Sequence, residues 1–109
     1  MSTKPIKKKL YWRIRGYDSL APIFETTVEL GQFTENQIKH LLMTLAAKAG
    51  LNYGEIVGAY ATRRTRIAND LLAVQKDSQY PTYMCGSNPH FAASVVDENG
   101  KIAPNPKLP

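Results

Sequence analysis

Cys85 is the one thiol of the chain and His90 the nearer of its two imidazoles. With Asn88 between them, they are the residues from which an activated nucleophile would be built. A cysteine becomes a working nucleophile when a base lies within hydrogen-bond reach and a third group orients that base. Sequence spacing does not supply that geometry, and a lone cysteine in a β-prone segment is ordinarily a small buried hydrophobe. No catalytic residue is therefore expected. A tetrahedral zinc site needs more thiol or imidazole ligands than Cys85 and His90, and His40 is the remaining histidine. Phosphate-loop, dinucleotide-loop, HExxH and GxSxG patterns are absent. The sequence thus predicts neither a metal nor a cofactor. Asp97 and Glu98 are neighbours in a turn-forming stretch, where carboxylates usually serve solvation, and they are given no acid–base role.

The second kind of chemistry is the holding of anions. The chain carries a formal net charge of +5, and that charge is unevenly placed. Lys4, Lys7, Lys8, Lys9, Arg13 and Arg15 all precede the first acid, Asp18, while Arg63, Arg64 and Arg66 form a second cluster. From Gly16 to Thr62, by contrast, five acids outnumber two lysines. Two basic patches separated by an acidic stretch suit a polyanion or an acidic protein surface. In the first patch Tyr11, Arg13, Arg15 and Tyr17 recur at every second residue. Rings that stack on bases and cations that neutralise phosphates would then share one strand face. The competing expectation is that Glu25 and Glu29 of a paired strand neutralise Arg13 and Arg15 across the sheet. In the second patch Thr62 and Thr65 add hydroxyl donors to the arginines. There the rival is a solvated basic segment, or one paired with Asp70 and Glu55.

Elements must position these groups, and several have clear signals. Leu10 to Asp18 alternates, with Leu10, Trp12 and Ile14 opposite the tyrosines and arginines. Ile23 to Leu30 alternates again, and a loop at Asp18 to Pro22 makes the pair a β-hairpin. Thr34 and Gln37 have capping-box spacing, and Phe33 and Ile38 have that of a hydrophobic staple, so a helix starts here. Ile38, Leu41, Leu42, Leu45 and Ala49 give it one apolar stripe, and Gly50 closes it, expected in the left-handed conformation.

Beyond Leu51 two arrangements compete. Asn52 with Glu55 repeats the capping box, and apolar spacing would carry a second helix to about Lys76. Gly54 and Gly58, each costing roughly 1 kcal/mol in a helix, favour instead a strand near Ile56 to Thr62, a basic turn, and a strand near Leu71 to Lys76. A helix over Tyr53 to Ala61 is the preferred reading. Thr82 to Cys85 and Phe91 to Val96 read as strands, and Asn99-Gly100 marks a turn before a brief pairing at Lys101 to Ala103.

The 109 residues, with 43% hydrophobic and 21% charged, bound the chain to a single core. The expected organisation is a flexible basic arm over 1–9, one domain over 10–103 and a Pro-rich flexible tail over 104–109. The fold class is α+β: a mixed, largely antiparallel sheet, made of the N-terminal hairpin and C-terminal strands, with one or two helices packed on one face. A single cysteine and the lack of a long apolar run fit a cytoplasmic protein outside the membrane. Charge placement makes nucleic acid the first candidate partner. It would be bound without catalysis through Lys7, Lys8, Lys9, Tyr11, Arg13, Arg15, Tyr17, Arg63, Arg64 and Arg66. The alternative is a protein-interaction module, an adaptor, inhibitor or subunit, that uses an open sheet face or edge strand toward a partner or in a homodimer.

Overall fold

A computed structural model describes residues 9–77, 82–87, 89–103, 106 and 108–109. The alternating segments form strands β1 (Tyr11–Asp18) and β2 (Ala21–Glu29). Three more follow the helical region: β3 (Val74–Lys76), β4 (Thr82–Cys85) and β5 (His90–Val96). They build one five-stranded sheet in the order β2-β1-β5-β4-β3, with every neighbour antiparallel. Together with two helices this is an α+β fold, with the hairpin at its N-terminus and the remaining strands C-terminal.

The hairpin turn is tighter than the sequence suggests. Ser19 takes a left-handed backbone (φ 57°), so β1 runs to Asp18 and β2 restarts at Ala21. Pro22 is tolerated because β2 is an edge strand, where a missing N–H breaks no ladder bond.

Helix α1 (Glu35–Gly50) begins at the expected capping box. The Gln37 N–H donates to Thr34 Oγ1 (3.2 Å), and the Thr34 N–H donates to Gln37 Oε1 (2.9 Å). Its buried line is Ile38, Leu42 and Ala46, flanked by half-buried Leu41 and Leu45, whereas Ala49 is exposed. A period of 3.6 keeps Ala49 on the same stripe as Ile38, so its exposure reflects the last turn of the helix lacking cover rather than a change of face. Gly50 remains helical and takes no left-handed backbone. Its role is room: a Cβ there would lie 2.7 Å from Pro89 Cδ.

The helix lies over β3, β4 and β5. On the sheet's inner face Trp12 and Ile14 of β1 meet Phe91, Ala93 and Val95 of β5 and Tyr83 and Cys85 of β4, all buried. Full burial of Ile14, Ile38 and Leu42 contributes roughly 1.5–3 kcal/mol each. Trp12 also donates its Nε1–H to the Phe33 carbonyl (3.1 Å), fixing the approach to α1. Gly16 faces Phe91, whose ring sits where a Cβ would be, with Cε2 2.3 Å from that position.

The ambiguous stretch resolves into parts of both arrangements. Helix α2 (Tyr53–Tyr60) carries its own capping box, with Glu55 N–H to Asn52 Oδ1 at 2.8 Å and Asn52 N–H to Glu55 Oε1 at 3.0 Å. It stops at Tyr60, and the chain passes through turns to β3. At the C-terminal end the Asn99-Gly100 turn forms as expected. The Asp97 N–H donates to the Lys101 carbonyl (2.8 Å), Gly100 has φ +80°, and Ile102 bridges to Val96. Leu108 then packs against the core, and the Pro109 carbonyl accepts from the Glu35 N–H (3.3 Å).

Candidate nucleic-acid interface

The alternation of β1 places Tyr11, Arg13, Arg15 and Tyr17 on the sheet face turned away from α1, opposite buried Trp12, Ile14 and Gly16. The register then decides what those cations do. Arg15 lies across from Glu25 and donates from Nε to Glu25 Oε1 (2.5 Å). That hydrogen bond raises the Arg15 guanidinium above its ordinary pKa, against the opposing effect of burial. Arg13 donates from Nη1 to the Gly100 carbonyl (3.2 Å), tying β1 to the Asp97–Lys101 turn. Tyr17 stacks on His90, its partner on β5, with centroids 5.3 Å apart and planes at 22°. Glu29 stands opposite Tyr11, and Asp97 and Glu98 rim a shallow cleft of about 460 Å³ that Arg13 and Arg15 line. Among the described residues two arginines thus face four carboxylates, and each arginine already has a partner within the fold.

The second cluster is built differently. Two consecutive turns follow α2. The Thr65 N–H donates to the Thr62 carbonyl (3.0 Å), as does the Thr65 hydroxyl (2.7 Å), and the Ala68 N–H donates to the Thr65 carbonyl (3.2 Å). Arg63 and Arg64 occupy the centre of the first turn, Arg66 and Ile67 that of the second, and all four are exposed. None of the three arginines forms an ion pair or hydrogen bond with any described residue, so the pairing with Asp70 or Glu55 does not occur.

The turns are nonetheless held in place. The Asn69 N–H donates to the Gly58 carbonyl (3.1 Å), Asn69 Nδ2 donates to the Glu55 carbonyl (3.0 Å), and Asn69 Oδ1 accepts from the Leu71 N–H (3.1 Å). Gly58 permits this approach, since a Cβ on it would lie 2.3 Å from the Ile67 carbonyl oxygen. Between the turns and α1 lies a cleft of about 390 Å³. Lys39, His40, Arg63 and Asp70 line it together with Met43 and Leu72.

The nucleophile candidates are separated. Cys85 is buried on the inner face, where desolvation pushes its thiol up to about 11, whereas His90 belongs to the outer face, stacked on Tyr17. Asn88 lies outside the described residues. Among the described residues no group of His, Cys, Asp and Glu is placed to hold a metal ion. Glu35 accepts a hydrogen bond from the buried Tyr83 hydroxyl and pairs with Lys76 (3.6 Å). Lys39 and Lys76 each stand 5.5 Å from the Tyr83 ring centroid, which makes this cluster a support for the helix–sheet junction.

The ten residues singled out in the sequence therefore fall into three places. Lys7 and Lys8 lie outside the described residues, and Lys9 is exposed just before β1. Tyr11, Arg13, Arg15 and Tyr17 share the outer sheet face, and Arg63, Arg64 and Arg66 share the two turns. Sequence reasoning passed over Tyr53 and Tyr60, which are 89% and 58% exposed on α2. Their signal is the spacing of Tyr53, Val57 and Tyr60 at i, i+4 and i+7, one face of a helix. Lys39 and His40 were also missed as cleft residues; only the return of the chain after α2 brings Arg63 to them. Comparison of the chain with family models, with curated proteins and with solved structures finds no match.

Proposed function

We propose that this protein is a non-catalytic, nucleic-acid-associated domain that contacts phosphates through Arg63, Arg64 and Arg66. One observation carries the reading: three arginines are displayed at the centres of two consecutive turns, without a partner among the described residues, on a loop fastened to α2 by Asn69. Cations fixed in this way meet a phosphate backbone without first breaking internal ion pairs. Lys39 extends the basic surface along the cleft, where His40 also lies, and Lys9 adds a charge beside the sheet. Arg13 and Arg15 contribute less, because binding through them would disrupt the contacts to Gly100 and Glu25. The separation of Cys85 from His90 supports a role without catalysis, and a single unpaired thiol suits the reducing cytoplasm. No helix among the described residues is long and apolar enough to cross a membrane.

The reading is tested by fluorescence-anisotropy titration of labelled DNA and RNA strands at two salt concentrations. Wild type is compared with R63A/R64A/R66A and with R15A. Binding that weakens with salt, falls in the triple variant and persists in R15A is the expected result. Salt-insensitive binding, or a triple variant that binds as wild type does, would count against it.

A second reading, a protein-interaction module, is favoured by one feature of β2. Among the described residues this edge strand pairs on one side alone and lies beyond α1's cover, and Leu20 in the turn before it and Ile23 and Phe24 near its start are exposed. Sedimentation that shows a dimer dissociating on Phe24→Lys would support it.

A further inference from the structure

We infer that the exposed face of α2 is a base-stacking platform and that the nucleic acid taken by this protein is single-stranded, a step that rests on the phosphate contacts proposed above. The face consists of Tyr53, Val57 and Tyr60, with exposures of 89%, 59% and 58%. The helix packs through the side that carries buried Gly58 and half-buried Ala59, with half-buried Ile56 at the edge of the tyrosine face, so the exposed tyrosines are not needed for the core. Glu55, the one acid of α2, is spent on its own capping box.

The choice of strand follows from what the face lacks. A helix that reads duplex DNA in the major groove presents Arg, Lys, Asn or Gln to base edges. The α2 residues Tyr53–Tyr60 contain none of these. Phenol rings offer a π surface instead, and base faces are open to such rings only where bases are unpaired. Tyr53 and Tyr60 stand about 10 Å apart along the helix axis at 1.5 Å per residue. The chain then leads directly into the Arg63–Arg66 turns. A strand laid along α2 would stack bases on both rings and deliver its phosphates to the arginines. That charge complementarity distinguishes the surface from a plain apolar docking patch, which would be expected to lack flanking unpaired cations.

The test uses full-length protein and anisotropy with a labelled oligothymidylate, a fully abasic strand of equal length and a duplex. Wild type, Y53A/Y60A, Y53F/Y60F and R63A/R64A/R66A are compared, with circular dichroism to verify folding. Each tyrosine-to-alanine change should weaken oligothymidylate binding about tenfold, while the phenylalanine pair retains it. The abasic strand should bind wild type no better than oligothymidylate binds Y53A/Y60A, and the duplex should bind more weakly than the single strand. Binding abolished in the arginine variant but unchanged in Y53A/Y60A and on the abasic strand would overturn the stacking platform and leave the phosphate contacts standing. No binding of wild type to any strand would overturn both.

Discussion

Cys85 illustrates how one residue's surroundings set its chemistry. Burial raises its thiol from an ordinary 9.0 to about 11, so the folded state holds the proton more tightly than the unfolded chain. Between those values the native protein binds the extra proton, and stability must fall as pH rises. Denaturant midpoints measured from pH 8 upward should decline through about 9 to 11, and the decline should be shallower in Cys85→Ala. An equally steep decline in both would show that the thiol does not carry it. Glu35 acts through a neutral hydrogen-bond partner instead. It accepts from the Tyr83 hydroxyl, whose residue is wholly buried. Glu35→Ala should cost about 1–3 kcal/mol by leaving that hydroxyl unsatisfied, and Glu35→Gln should cost less; urea melts separate the two. Thr82 to Cys85 and Phe91 to Val96 are legible as strands, but His90 falls outside the second as read and joins it only because β5 begins at His90. Closeness in sequence does not bring the two together, because Cys85 pairs with Phe91 on the inner face and His90 with Tyr17 on the outer one.

At the scale of elements, local signals carried most of the fold. Both capping boxes form with the bonds their spacing implies, and β1, β4, β5 and the Asn99-Gly100 turn lie where alternation and turn chemistry put them. The stretch after Leu51 was illegible because its decisive interactions are short-range but not periodic. Gly58 and Asn69 lock the turns onto α2 through backbone contacts that no hydrophobic pattern encodes. Arg15 and Glu25 were visible as a pair from the hairpin register, whereas the unpaired state of Arg63, Arg64 and Arg66 depends on how the turns project. The lock makes a local prediction. Gly58→Ala should push the Ile67 carbonyl away, breaking the Asn69-to-Gly58 hydrogen bond and speeding Asn69 amide exchange roughly tenfold. Amides of α1 and β5 should keep their protection, because α2 and its turns stand apart from the main helix–sheet core. Loss of protection throughout the domain would show that the lock is part of the global fold.

Across the whole molecule, the two basic regions are unequal. The outer sheet face sets two arginines against four carboxylates, and its cations are bound into the hairpin and the Asp97–Lys101 turn. Between α1 and the turns after α2, Lys39 and Arg63 line one cleft with Asp70, and Arg64 and Arg66 are exposed in the same turns. A net charge of +5 read from the sequence is silent on this division, since ion pairing is set by register and by chain return. The most direct test is the salt dependence of single-strand binding for wild type and R63A/R64A/R66A. Each phosphate contact contributes about 0.7 to the slope of log affinity against log salt on a single strand, so the variant's slope should be shallower by about 2. An unchanged slope would place the phosphate contacts elsewhere and contradict the central claim.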